Sequence, residues 1–482
     1  MTAEGTLLSF LLLAAMSPFC ARGAQTDDPC RLRFERMATR RFVLDNELTL
    51  GEYVPETHVA NVQHPRAAFD TNLVQVAGWC PCAHYSADVL SGSARLVFAF
   101  PDGAGRMEVL ARPGREVSAV GATLKTVGAT VPEPPFRLSL TAAGNAFSVL
   151  VAKDGRTAYQ AKGVKTVAHD WRAKTTFGAA KFFVDTSAGR VARASSALSA
   201  GFGQADVRFV TTGRDKRLYF EGGRVFFTFS SRGPEALGVA SFDPSRFDVR
   251  LEGTVLFDAG DGLLRGDAPA DLFYDEEARE WRAWVCNFST AGTVNGVGGR
   301  EKGGVNCAWS KLSPLHGLTV MRERNMGLDG MNEDPTGFFD ASVGKWRVFL
   351  SEFTPKGIRG SLWESDAWDG PFSRVTPPTE EDSTGQCLVE LGGRRWAIAG
   401  SADQACHVYE YPSLKLHGDI RFDQPPWDAE CPNGRVWGTL AVLPDGYAYK
   451  YLFLTMDRAN FPGIPTPNWT YGALYLYGGQ EP

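Results

Sequence analysis

Short apolar and aromatic runs alternate with turn-forming clusters along most of this chain, and five of the runs share one pattern. They are Arg224–Ser230 (RVFFTFS), Trp281–Cys286 (WRAWVC), Trp346–Ser351 (WRVFLS), Arg395–Gly400 (RWAIAG) and Lys450–Thr455 (KYLFLT). Each follows a turn such as EGG, DEEARE, DASVGK, LGG or LPDG. Most lead into a further short run through turns such as SDAWDGPFS, KLSPLHGLTV or KLHGDI. Aromatic and β-branched runs bounded by Gly, Asp and Pro read as strands. They recur every 50 to 65 residues or so, near the range of repeated supersecondary units. A repeat of four short strands is the pattern of a propeller blade. The expectation is therefore an all-β chain with a five-bladed β-propeller over 206–482, whose inner strands converge on a central concavity.

Upstream, the runs ARLVFAF, RMEVLAR, FRLSLTAAG, AFSVLVA and AKFFVDT are separated by PDGAG, AAGN and KDGR. They predict an N-terminal antiparallel β-sandwich of jelly-roll type over 42–205. Residues 24–41 are charged with little β pattern and read as a leader. Residues 1–23 read as a signal peptide: Leu7–Met16 is an apolar core and Ala21-Arg-Gly23 supplies small residues before a cleavage point. No other apolar run approaches the length of about 20 residues needed to span a membrane. The expected location is secreted or periplasmic.

Composition narrows the partners. The 482 residues exceed one ordinary core, which calls for two domains. The net charge is −5 with no basic stripe, so nucleic acid is not expected. The 12 Trp fit β-core packing first and sugar stacking second. Eight cysteines follow the signal, an even number that favours disulfides in an exported chain. Cys286 and Cys307 fall on neighbouring strands of one blade and form the expected pair; Cys387 with Cys431 is a weaker one. The 7 His are scattered and suggest no ligand cluster, so no metal or cofactor is called for, with a central calcium left open. Asn287-Phe-Ser and Asn468-Trp-Thr are glycosylation sequons.

Acidic residues just before each aromatic strand are the candidates for chemistry at the axis, because hydrolysis of a glycosidic bond uses a pair of carboxyl groups. They are Asp215; Asp267 and Asp271; Glu333 and Asp334; Glu380, Glu381 and Asp382; and Asp428 and Glu430. The text NEDPTGFFDASVGKWRVFLSE is similar to the third blade of family 43 glycoside hydrolases, DAPADLFYDEEAREWRAWV resembles that family's second blade, and SDAWDGPFS resembles its outer-strand turns. The upstream run FRLSLTAAGNAFSVLVAKDGRTAYQA resembles the paired strands of laminin-G or concanavalin-like jelly rolls.

The family resemblance covers roughly residues 206–482 and implies a secreted glycoside hydrolase, acting on a polysaccharide or oligosaccharide with inversion. Carried over by position, it implies Asp215 as general base, Asp334 as the residue that tunes the acid and orients substrate, and Glu381, or its neighbour Glu380, as general acid. Asp215 lacks the family's following proline, and Glu381 precedes Asp-Ser-Thr rather than Gly-Pro. Asp271, Glu430, Arg435, Trp437 and Arg458 are the expected substrate-binding residues. Two rival readings are a uronate lyase using His407 and Arg435, and a non-catalytic carbohydrate-binding protein.

Overall fold

The computed structural model describes residues 28–40, 58–61, 73–101, 105–166, 169–177, 179–199, 202–232, 236–288, 304–426, 434–457 and 473–481. The expected signal peptide, Glu430, Cys431, Arg458 and Asn468 lie outside them. The described chain is all-β: its elements are strands apart from one short turn of helix, Pro29–Arg31.

Two antiparallel sheets form the N-terminal part. One has seven strands running from His58–Asn61 to Ala122–Thr126, and the other has five, from Leu73–Gly78 to Ser118–Val120. They share one buried core of Trp79, Tyr85, Phe98, Phe147, Trp171 and Phe182. The period-two pattern explains this: in Ala94–Ala99, Leu96 and Phe98 point inward and are fully buried. The face-to-face arrangement is that of the sandwich read from sequence. Its edge meets the propeller where Leu264 N donates to Arg172 O (2.8 Å), Lys174 pairs with Asp258, and Cys82 packs on Leu256 and Leu264.

Five four-stranded units follow, each an antiparallel meander. Blade one is Phe202–Phe209, Arg224–Arg232, Ala236–Phe242 and Arg250–Asp258; blade two is Ala270–Asp275, Glu280–Cys286, Val305–Ser310 and Gly317–Asn325. Blade three is Asn332–Asp340, Lys345–Thr354, Gly357–Ser365 and Ser373–Arg374; blade four is Thr384–Leu391, Arg394–Gly400, Cys406–Glu410 and Lys415–Asp419. Blade five is Gly438–Val442, Tyr451–Met456 and Leu474–Gln480, completed by Arg33–Arg40. The five aromatic runs are the second strands. Each first strand touches the first strand of the next unit, and the fifth touches the first, so the inner strands close a ring. The outer strands of blades one and two also pair in parallel.

Two sequence expectations change. The segment expected as a leader contains a strand, Arg33–Arg40, which forms the outermost strand of blade five. A register shift between Arg36 and Ala38 breaks its period-two pattern, which hides it in the sequence. Blade one begins at Phe202 rather than after 205. This strand swap covers an edge that would otherwise be open. Phe34 packs on Phe453 (5.3 Å between ring centroids), and Gly479 leaves room for it: a Cβ there would lie 2.7 Å from the Phe34 ring.

Phe34→Ala should cost about 1–3 kcal/mol of stability, the value of a substantially buried ring. Chemical denaturation measures it; a loss no larger than that of an exposed substitution on the same strand would show that the N-terminal strand does not hold blade five.

Candidate functional site at the leading ends of the inner strands

Three of the five inner strands carry a register shift near the end where they begin. The shifts fall between Ala205 and Arg208, between Glu333 and Thr336, and between Thr384 and Cys387. Such bulges turn side chains away from the regular pleat. At the first two, Asp206 (φ 55°) and Asp334 (φ 56°) occupy the left-handed region, an uncommon backbone for a residue with a Cβ. Strain of this kind persists only where the surroundings enforce it, and it concentrates at functional sites.

Asp334 is 5% exposed and is held from every side. Its Oδ2 accepts from the Thr384 hydroxyl (2.5 Å), from Gly385 N (3.2 Å) and from the Ser351 hydroxyl (3.4 Å). Its own N–H donates to Cys286 Sγ (3.0 Å) and its carbonyl accepts from Arg208 Nη2 (3.0 Å). A second Arg208 nitrogen donates to Gln386 O. Burial pushes the Asp334 carboxyl above the usual carboxylate range, and the charge of Asp206 pushes it further; Arg208 and the donors from Thr384 and Gly385 offset part of this. Two carboxyls near one another, with one biased to keep its proton, form a donor and acceptor pair suited to acid and base work.

Trp437 closes the underside. Its ring lies 4.9 Å from the Arg208 guanidinium carbon, and its Nε1 donates to Val207 O (2.7 Å). A Cβ on Gly385 (φ +64°) would come within 2.7 Å of that ring, so glycine is required there. Trp437 is 3% exposed and serves as buried support. Arg435 sits near the same end, doubly bonded to Asp382 (Nε–Oδ2 2.6 Å, Nη2–Oδ1 3.0 Å).

Further along the axis lies a cavity of about 500 Å³, lined by Arg208, Thr211, Lys216, Asp271, Thr336 and Thr439 among others. Lys216 and Asp271 are ion-paired across it at 2.5 Å, and Asp271 also accepts from Gly337 N (2.9 Å). Burial, with Arg208 nearby, lowers the Lys216 ammonium below its ordinary value although Asp271 opposes this.

The structure redistributes the sequence candidates. Asp334 stands at the centre. Asp215 does not join it: it is exposed beside Arg217 (3.1 Å) at the trailing end of the inner strands, lining the cavity. A short excursion, Thr211–Thr212 and Arg217–Leu218, separates the first two strands of blade one. The acidic residue just before the aromatic strand therefore belongs to the excursion, and Asp206 holds the inner-strand place. Asp206, Arg208 and Thr384 escaped the sequence reading, and Cys286 was expected only as a disulfide partner; the alternation in QADVRFV was the available signal for Asp206.

Glu381 is half-buried just ahead of the fourth inner strand, but the hydroxyl bonded to Asp334 from that strand is Thr384. Asp271 pairs with Lys216 in the axial cavity, apart from the Asp334 cluster. The expected disulfide is absent. Register sets Cys286 opposite Val305 and Cys307 opposite Trp284, so the two are diagonal, and neither forms a disulfide. Cys286 turns to Asp334 instead. The sequon at Asn287 is closed, since that side chain is fully buried and bonded to Asn306 (3.2 Å).

No protein-family model and no curated relative matches the chain. Solved structures similar to it include an endo-1,4-beta-xylanase from Bacteroides thetaiotaomicron, at 12% identity over 57% of this chain and 89% of that one, with a TM-score of 0.35. The GH43_1 enzyme from Xanthomonas citri complexed with xylotriose is similar at 9% identity over 57% and 86%, TM-score 0.38. A family 117 glycoside hydrolase from the marine bacterium Zobellia galactanivorans is similar at 10% identity over 57% and 84%, TM-score 0.37. Identities and scores this low assign neither a family nor an activity to this chain.

The raised Asp334 carboxyl has a measurable signature. Between the unfolded value, near 3.8, and the higher folded one, the native chain binds more protons than the unfolded chain. Its contribution to stability therefore falls as pH rises through that window and stays unfavourable above it. Thermal unfolding of Asp334→Asn against the wild type should show the variant gaining relative stability from about pH 4 upward. A difference that does not change with pH would remove the shift from Asp334.

Proposed function

We propose that this chain is an exported glycoside hydrolase that cleaves a polysaccharide or oligosaccharide at the leading end of its propeller axis. The observation that carries the proposal is the Asp206–Asp334 pair: two buried acidic residues on the bulged inner strands of blades one and three, one of them biased to hold its proton. In this reading Asp334 is the proton-holding partner and Asp206 is the group that activates water. Asp206 replaces Asp215 as the first-blade base implied by the family resemblance. Glu381 and Arg435 lie at the same end, where they would border a bound sugar. Inversion is the expected outcome and requires a water between the two carboxyls. The leading apolar segment would carry the chain to where such glycans occur. The sandwich, resembling laminin-G and concanavalin-like domains, would brace blade one and add glycan contacts.

One observation favours a second reading, non-catalytic carbohydrate binding. The fourth inner strand meets Asp334 with the hydroxyl of Thr384 rather than with a carboxyl, and protein groups already occupy Asp334 Oδ2. The lyase reading finds no such support: His407 Nδ1 is bonded to Asp419 (2.7 Å) on the outer strands of blade four, and Arg435 is committed to Asp382.

Release of reducing ends from a panel of plant, algal and microbial polysaccharides is the test. Asp206→Asn and Asp334→Asn should each lower turnover by about 10² to 10⁴, while Asp215→Ala should keep it. Wild-type turnover in either asparagine variant would end the assignment. Glycan retention without any product would select the binding reading.

A further inference from the structure

The seven histidines are scattered in sequence, yet folding brings one of them to a cysteine and an aspartate on the rim. Asp28, Cys30 and His417 present a carboxylate oxygen, a thiol sulfur and a ring nitrogen within 4.8 Å of one another. Asp28 caps the turn Pro29–Arg31, accepting from Cys30 N through Oδ1 (2.9 Å). That leaves Oδ2 facing His417 Nε2 at 3.2 Å. His417 lies on Lys415–Asp419, the outermost strand of blade four. Its ring packs on Trp396 (4.7 Å between centroids), and its other nitrogen, Nδ1, faces Glu410 Oε1 at 4.0 Å. Gly418 admits the thiol: a Cβ there would lie 3.1 Å from Cys30 Sγ.

We propose that Asp28, Cys30 and His417 bind a divalent transition metal, with zinc the best fit. Zinc bonds of about 2.0–2.3 Å in a tetrahedron place neighbouring ligand atoms roughly 3.3–3.7 Å apart. The 3.2 Å between Asp28 Oδ2 and His417 Nε2 is already close to that edge length. The donors are one imidazole, one thiolate and one carboxylate, a set that zinc accepts, with water completing four-coordination. Glu410 stands behind His417, where closing from 4.0 Å to hydrogen-bond distance would give the carboxylate–histidine arrangement that orients metal-bound imidazoles. Asp28 gathers the other two without a metal, facing His417 Nε2 and accepting a hydrogen bond from the Cys30 thiol, so the three donors already converge on one point. The competing cation is Arg31, 3.4 Å from Asp28 Oδ2; its side chain is 71% exposed and can swing away.

Binding forms one bond from each side chain to the metal and releases the Cys30 thiol proton to solvent. The ion would act as a strap. Residues 28–31 lead directly into Arg33–Arg40, the strand that completes blade five, whereas His417 belongs to blade four. Metal would thus tie the N-terminal strand across the seam between the last two blades.

Cobalt(II) added to the full-length protein should bind at one equivalent with a thiolate-to-cobalt charge-transfer band. Zinc should displace it, release a proton and raise the Tm. Cys30→Ser should abolish the band, and His417→Gln should abolish tight binding, while metal-free Tm values of both variants stay near that of the wild type. Absence of binding, or cobalt binding with no thiolate band and no change in Cys30→Ser, would overturn the proposal. Activity plays no part in this readout, so its failure and that of the hydrolase reading are separable.

Discussion

A carboxyl removed from water at the point where inner strands converge constrains much of this molecule. An isolated charge there would be costly, so it must be protonated, hydrogen-bonded, or both. Asp334 draws its partners from four blades. Arg208 comes from the first, Cys286 from the second, Ser351 from its own, and Thr384 with Gly385 from the fourth. Thr384 and Gly385 open an inner strand, Cys286 closes the strand beside one, and Arg208 reaches back from the far half of its own inner strand. The blades must therefore hold their mutual angles for the carboxyl to be satisfied. Arg208 adds to this by bonding carbonyls of blades three and four while its guanidinium lies over Trp437 of the fifth. A group this thoroughly engaged, with its proton affinity raised, is unusual as mere scaffolding. Apolar residues would fill the same space with no polar group to satisfy.

The axis also keeps its charges in order along its length. The acidic pair lies at the leading end, Arg208 separates it from the cavity, and the Lys216–Asp271 pair follows. Arg208 moderates the proton affinity of Asp334 and lowers that of Lys216. One guanidinium thus couples two titrating groups that belong to different compartments of the channel. Replacing it would disturb both ends and leave the Asp334 and Gln386 carbonyls without their donor.

The architecture was legible because blade strands obey local rules. Aromatic runs after Gly- and Asp-rich turns mark the second strand of all five units, and the spacing gives the count. Asp334 was legible for the same reason, standing just ahead of an apolar strand in a distinctive context. What failed were features set by register. The bulge in Arg33–Arg40 disguised a strand as a leader, the excursion in blade one moved attention from Asp206 to Asp215, and a two-residue offset separated Cys286 from Cys307. The Asp28–Cys30–His417 cluster was out of reach altogether, because its members are nearly four hundred positions apart and meet only when the ring closes. Loop length and register are tertiary outcomes, and composition does not encode them.

Ring closure by a strand from the far end of the chain links the fold's order to its site. Blade five lacks an outer strand until Arg33–Arg40 arrives, and its inner strand carries Thr439 on the cavity wall, just after Trp437. Those residues pack against Val207, Arg208 and Gly385 of the first and fourth blades. A blade that opens at its outer edge loosens its inner edge as well, because neighbouring strands in a meander share one set of backbone bonds. The support beneath Asp334 thus depends on a contact on the far rim of the same sheet. The N-terminal segment is then part of the site's scaffold, although its strand lies on the rim, a full blade's width from the axis.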